Sequence, residues 1–385
     1  MTVTAPAGFE AAGVAAGLKS TGKPDVAVVV NRGPLKVGAA VFTSNRAQAN
    51  PIIWSKQAIQ DGVVEAIVLN SGGANCFTGP FGFQTSHQTA EKAAELLGVS
   101  AGDVLVCSTG LIGTGDEVFR AKVLDGTTRA IAELSADGGH SASHAIMTTD
   151  TVAKTAVRQG DGWSIGGMAK GAGMLAPGLA TMLVVLTTDA VLTAEEADAH
   201  LRAATGTTFD RLDSDGCMST NDQVSLLVSG ASGVVPDPVQ FAAALAELCG
   251  ELAEKLQRDA EGASHDITIR VTNAASVEDA VEVGRSVARN NLFKAAIFGN
   301  DANWGRVLAA IGTTKAAFDP YDVDVWMNGV RVCTAGGPDR PRDEVDLTPR
   351  ATDLLIDLRA GAEAATILTN DLTHDYVHEN SAYAS

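Results

Sequence analysis

Short runs rich in valine and isoleucine alternate along this chain with longer, alanine-rich amphipathic runs. That alternation constrains the fold more than any other feature. Apolar runs of about four to eight residues between turn formers read as buried strands, and a period near 3.6 reads as a helix packed on one face. Strands are predicted at Asp25–Val30, Ala39–Thr43, Glu65–Asn70, Asp103–Cys107 and Met182–Thr187. Further strands are predicted at Asp266–Thr272, Lys294–Phe298, Val307–Ile311, Asp322–Met327 and Leu354–Leu358. Helices are predicted at Thr85–Leu97, Glu117–Leu134, Ala194–Ala204, Pro238–Gln257 and Val277–Asn290. Thr193 followed by Glu196 fits a capping box. Asp237 before Pro238 fits a cap followed by proline in the first turn. Ser86 reads as a helix start ahead of an Ala/Glu run. Asn328-Gly329, between alternating residues, predicts a two-residue hairpin turn and hence some antiparallel pairing. The Gly- and Pro-rich stretch Thr334–Arg342 reads as a surface loop. The mixture predicts an α/β (α+β) fold with layered sheets and leaves strand order open.

The chain has 385 residues, 45% of them hydrophobic. That is enough for two or three domains at about 150 residues each. Lys and Arg number 28 against 46 Asp and Glu, a net charge of −18. Phosphate backbones and anionic membranes need clustered cations, so neither nucleic acid nor a membrane is an expected partner. A small zwitterionic substrate stays compatible, because a local site can differ in sign from the whole surface. The five cysteines are scattered with no CxxC pair, which fits free thiols in a reducing compartment. No signal peptide is visible at the start, and no run approaches the roughly 18 apolar residues of a membrane helix. A cytoplasmic location is therefore expected.

Several chemical signatures are missing: no GxxxxGK[ST] loop, no HExxH, no GxSxG elbow and no GxGxxG after a strand. His374 and His378 share a helical spacing but lack a third ligand nearby, so no metal site is expected. The informative segment is Lys170-Gly171-Ala172-Gly173-Met174-Leu175-Ala176-Pro177-Gly178-Leu179-Ala180-Thr181-Met182-Leu183. On its residues alone it reads as a Gly/Pro-rich connection into a buried strand. It also suits self-cleavage. A small residue before Thr181 leaves the peptide carbonyl open to the threonine hydroxyl, and glycines permit the strained geometry of an N-to-O acyl shift. Hydrolysis of that ester frees the α-amine of Thr181. Its ordinary pKa, about 7.7–8.0, lies near the optimum for a general base. A threonine activated by its own amine is a known nucleophile type. Cys107-Ser108-Thr109-Gly110-Leu111-Ile112-Gly113 follows a predicted strand, and Thr109 and Gly110 can serve as oxyanion donors there. Its plain alternative is a turn.

The segment Met168–Leu183 resembles the self-processing site of the ornithine acetyltransferase (glutamate N-acetyltransferase) family. The resemblance extends over nearly the whole chain through Asn70–Asn75, Cys107–Gly113, Met147-Thr148-Thr149-Asp150, Asp259–Gly262, Asp301–Arg306 and Asn380–Ser385. It implies stacked sheets flanked by helices, of the N-terminal-nucleophile type. It implies cleavage between Ala180 and Thr181 into an α chain (1–180) and a β chain (181–385), assembled as α2β2. Thr181 would be the nucleophile and Thr109 with Gly110 the oxyanion hole. Thr148, Lys170, Thr181, Glu261, Asn380 and Ser385 would line the amino-acid site. No metal or organic cofactor is implied. The implied reaction moves acetyl from N2-acetyl-L-ornithine to L-glutamate, with acetyl-CoA a further possible donor. A self-processed amidohydrolase or aminopeptidase, or an unprocessed amino-acid-binding protein, is the alternative. Lys170 suits a carboxylate and Glu261 an ammonium, although by residue type alone both read as solvated charges. The tail would have to fold back onto the core. Gly73 stands where many relatives carry Asn, His265 where Lys or Arg is common, and Ser385 where Thr is frequent. His265 is expected to alter the charge near Glu261.

Overall fold

A computed structural model of the chain describes residues 2–176 and 182–382. The predicted cleavage bond Ala180–Thr181, the nucleophile Thr181 itself and the tail residue Ser385 lie outside the described residues. The described residues divide into two compact units: 2–172, 182–210 and 218–256 form the first, and 173–176, 211–217 and 257–382 the second.

The first unit holds strands β1 (Phe9–Val14), β2 (Val26–Asn31), β3 (Val37–Phe42), β4 (Ala66–Ser71) and β5 (Val104–Thr109). It also holds β6 (Lys154–Gln159), β7 (Ser164–Lys170), β8 (Leu183–Thr188) and β9 (Gln223–Val228). Its helices are α1 (Asn50–Ala58), α2 (Gly79–Leu97), α3 (Glu117–Ala132), α4 (Gly139–Ala145), α5 (Ala194–Thr207) and most of α6 (Pro238–Arg258). One sheet runs β1-β2-β4-β5 and a second β3-β9-β8-β7-β6. Pairs β4/β5 and β8/β9 are parallel and the others antiparallel. The two sheets pack through Val29, Ile67, Leu69 and Leu105 on one side and Met168, Leu183, Val185 and Leu227 on the other, with Ile146 after α4 in the same cluster. On the far face of the first sheet, Val26, Val28, Val68 and Val106 meet the alanines of α2 and Ala130 of α3. On the second sheet, Gly167 of β7 lets α6 approach: a β-carbon there would stand 2.9 Å from Leu248 Cδ2 and 3.0 Å from Leu252 Cδ1. Helix, sheet, sheet and helix thus stack in layers, as expected of stacked sheets flanked by helices.

The second unit carries β10 (Asp266–Ala274), β11 (Asp324–Met327), β12 (Val330–Thr334), β13 (Gly337–Pro338), β14 (Ala351–Asp357) and β15 (Glu363–Asn370). Their order is β13-β12-β11-β14-β10-β15, with only β10/β14 parallel. Helices α7 (Val277–Ala288), α8 (Asn291–Phe298) and α9 (Trp304–Ile311) cover it through Val283, Val287, Phe293, Ile297, Val307 and Ile311. The chain ends in α10 (His374–Ala382).

The predicted helices all form. Thr193 and Glu196 make a reciprocal capping box, and Asp237 Oδ1 accepts the Val239 and Gln240 amides. Asn328 and Gly329 turn the β11–β12 hairpin at φ 44° and 82°, with Met327 opposite Val330. Two strand predictions fail. Lys294–Phe298 belongs to α8 and Val307–Ile311 to α9. Runs of four or five apolar residues do not separate strand from buried helix, and here Asn290 and Asn303 cap helices by accepting the Phe293 and Arg306 amides. Ser86 does not start a helix. Gly79-Pro80 opens α2 earlier, and Ser86 lies buried within it, accepting from Asn75 Nδ2 at 3.1 Å. Among the described residues no helix is long and apolar enough to cross a membrane.

Candidate active site

Strand β5 ends on Thr109, a fully buried side chain, and Gly110 follows with φ +127°. The Thr109 carbonyl accepts two amides, from Gly72 at 2.9 Å and Gly73 at 3.0 Å. A β-carbon on Gly110 would stand 2.5 Å from Gly73 N, so glycine alone fits that close approach. Among the described residues the Gly110 N–H has no acceptor, as a donor awaiting a developing oxyanion requires. The strand end is braced from below. Ser108 Oγ donates to Asn70 Oδ1 at 2.6 Å, Asn70 Nδ2 to the Gly73 carbonyl at 3.1 Å, and Asn221 Nδ2 to the Ser108 and Ala74 carbonyls. At Gly73 the Phe119 ring fills the space a side chain would need, 2.6 Å from an added β-carbon. That explains glycine in place of asparagine.

Lys170 ends β7 with 1% exposure, contrary to a solvated charge. Its Nζ donates to Thr109 Oγ1 at 3.3 Å and stands 4.0 Å from Asp150 Oδ2. Asp150 also accepts Lys154 Nζ at 2.6 Å, the Gly171 amide at 2.7 Å and the Thr148 amide at 2.9 Å. Burial pushes the Asp150 carboxyl up, but the Lys170 and Lys154 ammonium groups outweigh it and hold the group at about 2. Nearby Lys19 is pushed down to about 8 by burial, with repulsion from Lys170 adding to it and Asp25 opposing. Thus four predicted residues, Thr109, Gly110, Thr148 and Lys170, gather in the first unit around Asp150. Asp150 belongs to the Met147-Thr148-Thr149-Asp150 motif, but nothing local in the sequence assigns it a role.

Asp222 was also missed. It is fully buried, and its Oδ1 accepts the amide of Met182 at 3.0 Å. Burial pushes its carboxyl well above the usual range, towards the neutral acid.

In the second unit Asn380 Nδ2 donates to Glu261 Oε2 at 3.0 Å, so the tail does fold back on the Asp259–Gly262 turn. Thr373 Oγ1 bonds the Gly262 carbonyl at 2.6 Å, and a β-carbon on Gly262 would collide with Tyr376 N. Glu261 borders a cavity of about 290 Å³ that Asp215, Lys294, Asp371 and Tyr376 also line. Burial lowers Lys294 to about 8 against the pull of Asp215, and its Nζ donates to the Ser214 carbonyl. Burial, then Asp215 and Glu261, raise the Tyr376 hydroxyl to about 12. Carboxylates and an ammonium in one cavity suit a zwitterionic guest. His265 faces Asp371 and not Glu261 directly: its Nδ1 meets Asp371 Oδ2 at 2.8 Å and its Nε2 the Leu347 carbonyl at 2.9 Å. His374 and His378 are exposed on α10, and no cluster fit to hold a metal occurs among the described residues.

A family model described as the ArgJ family matches residues 10–385. The arginine biosynthesis bifunctional protein ArgJ of Streptomyces avermitilis is 61% identical over 385 residues, spanning 100% of both chains. That of Thermobifida fusca is 58% identical over 385 residues, again 100% of both. That of Mycobacterium leprae is 51% identical over 391 residues, covering 100% of this chain and 96% of its own. A solved structure of ornithine acetyltransferase complexed with ornithine, from Mycobacterium tuberculosis, is 48% identical over 47% of this chain and 96% of that one, with a TM-score of 0.45.

Proposed function

The chain belongs to the ArgJ family, and on that premise we propose that it is a self-processing glutamate N-acetyltransferase of arginine biosynthesis. The observation that carries the reading is the buried Lys170–Thr109 contact beside Gly110, with its φ of +127° and unclaimed N–H. Its polar side chains, Thr109 and Lys170, are buried at the end of β5, where donors are worth more to a developing oxyanion than in water. Cleavage between Ala180 and Thr181 yields the α chain, 1–180, and the β chain, 181–385, which associate as α2β2. The Thr181 hydroxyl then attacks the acetyl carbonyl of N2-acetyl-L-ornithine while its α-amine takes the hydroxyl proton. Thr109 and Gly110 hold the oxyanion. The C–N bond breaks, the amine returns the proton to the departing ornithine nitrogen, and an acetyl ester remains on Thr181. The glutamate amine attacks that ester by the reverse sequence and leaves as N-acetyl-L-glutamate. Thr148, Lys170, Glu261, Asn380 and Ser385 bind the amino acids, with Glu261 taking the ornithine ammonium. No metal or organic cofactor enters these steps.

A denaturing gel with amino-terminal sequencing tests the first half. Two bands are expected, the second reading Thr-Met-Leu-Val; a single full-length band after long incubation refutes self-processing. Thr181→Ala should stay uncleaved and inactive, and Thr181→Ser should cleave slowly. Acetyl transfer to glutamate from N-acetylornithine and from acetyl-CoA, with intact-mass detection of an acetylated β chain, tests the second half and decides between one donor and two.

A further inference from the structure

We propose that Asp150 is a positioning residue that, through Lys170, turns the Thr109 hydroxyl into an oxyanion donor. The inference rests on the role of Thr109 in the function proposed above.

The Asp150 side chain is fully enclosed and gathers groups from three places: the Thr148 amide in its own turn, Lys154 at the start of β6, and Lys170 with the Gly171 amide at the end of β7. Burying one carboxylate with two ammonium groups is a poor route to stability, since apolar residues of the same volume do as well or better. What the arrangement supplies is direction. A lysine ammonium only donates, and a hydroxyl has one hydrogen to give and lone pairs to receive. With Lys170 Nζ on Thr109 Oγ1 at 3.3 Å, a lone pair of that oxygen is engaged and its hydrogen must point elsewhere. Among the described residues Thr109 Oγ1 has no other partner, so the hydrogen stays available to an oxygen arriving beside the Gly110 N–H. The adjacent positive charge also polarises that O–H bond. Asp150 keeps the ammonium at this post, and by holding the Gly171 amide it fixes the first residue of the segment that leads to the cleaved bond. Self-cleavage and acetyl transfer both pass through an oxyanion, so one relay serves both.

Three variants decide the matter: Asp150→Asn, Lys154→Met and the two combined. Each is scored for melting temperature, rate of self-cleavage, and kcat and KM of acetyl transfer. Asp150→Asn is expected to lose about 100-fold or more in kcat, with KM within about threefold, since the contact is made to the transition state alone. Lys154→Met, which leaves Asp150 to Lys170, should keep kcat within about threefold. The combined variant removes one of the two buried ammonium groups that Asp150→Asn deprives of this carboxylate, so it should melt above Asp150→Asn yet stay about 100-fold slow. Wild-type kcat in the combined variant, or an equal loss in Lys154→Met, overturns the relay and leaves Asp150 a structural counter-ion. Absence of acetyl transfer in the wild type is a different outcome, and refutes the proposed function itself.

Discussion

Replacing Gly110 by alanine tests the oxyanion site at its most constrained atom. The residue sits at φ +127°, where a side chain costs roughly 1–3 kcal/mol in backbone strain. The new β-carbon would also stand 2.5 Å from Gly73 N and 2.8 Å from Gly72 C, and both are backbone atoms that cannot swing away. Relief requires the Gly72-Gly73 segment to retreat. That breaks its two amide bonds to the Thr109 carbonyl, at 2.9 and 3.0 Å, worth about 1 kcal/mol each. The sum is about 3–5 kcal/mol. Movement of the Gly110 N–H adds a loss of about 100- to 1,000-fold in kcat. Gly113→Ala is the control: φ is +86°, but nothing lies within 4 Å of its β-carbon, so only strain of about 1–2 kcal/mol is expected. Urea unfolding and steady-state acetyl transfer measure both variants. If Gly110→Ala proves as stable as Gly113→Ala and within about threefold of wild-type kcat, the close approach and the donor role are both wrong.

Gly173→Ala would place a β-carbon 2.4 Å from Glu261 Oε2, the far end of a flexible side chain that Asn380 Nδ2 holds at 3.0 Å. Stability should fall by less than about 1 kcal/mol, while KM for N-acetylornithine rises about tenfold through a displaced carboxylate; steady-state kinetics with each substrate varied separates this from a general defect. Asp150, held at about 2 against an ordinary 3.8, contributes stability that is fully present above pH 4 and lost as pH falls towards 2, about 2 kcal/mol in all. Urea unfolding of the wild type should therefore weaken more between pH 5 and 2.5 than that of Asp150→Asn/Lys154→Met. Thr193→Ala removes the acceptor of the Glu196 amide and with it one half of the α5 capping box, for a loss of about 1 kcal/mol in thermal unfolding.

What could be read from the sequence follows the range of the interaction concerned. Thr193–Glu196, Asp237-Pro238 and Asn328-Gly329 act within four residues of themselves, so their side chains carry the instruction locally. The strands β2, β4, β5 and β8 are buried along their whole length and announce themselves as unbroken apolar runs. β7 is buried throughout as well, yet Gly166 and Gly167 empty it of β-forming side chains, because Thr2 and Pro6 occupy the space at Gly166 and α6 the space at Gly167. Its sequence, Ser-Ile-Gly-Gly-Met-Ala-Lys, therefore reads as nothing regular. The α8 and α9 runs failed for the opposite reason: they had the apolar content of a strand, and only the preceding asparagines marked them as helices.

The site divides along the same line. Thr109, Gly110, Lys170 and Glu261 were found by their order within a set of motifs, not by any local pattern that fixes their surroundings. Whether Lys170 is solvated or buried depends on Asp150, 20 residues earlier, and on the β6–β7 pairing that sets Lys154 opposite Ala169. No short window contains that information. Conversely, once burial is established, the chemistry is narrowly determined: an enclosed lysine persists as a cation only beside a carboxylate, and a hydroxyl that accepts from it can only donate outward. The position of one carboxylate therefore connects a reading of residue types to a reading of proton direction, and it was invisible in the sequence because its partners lie on different strands.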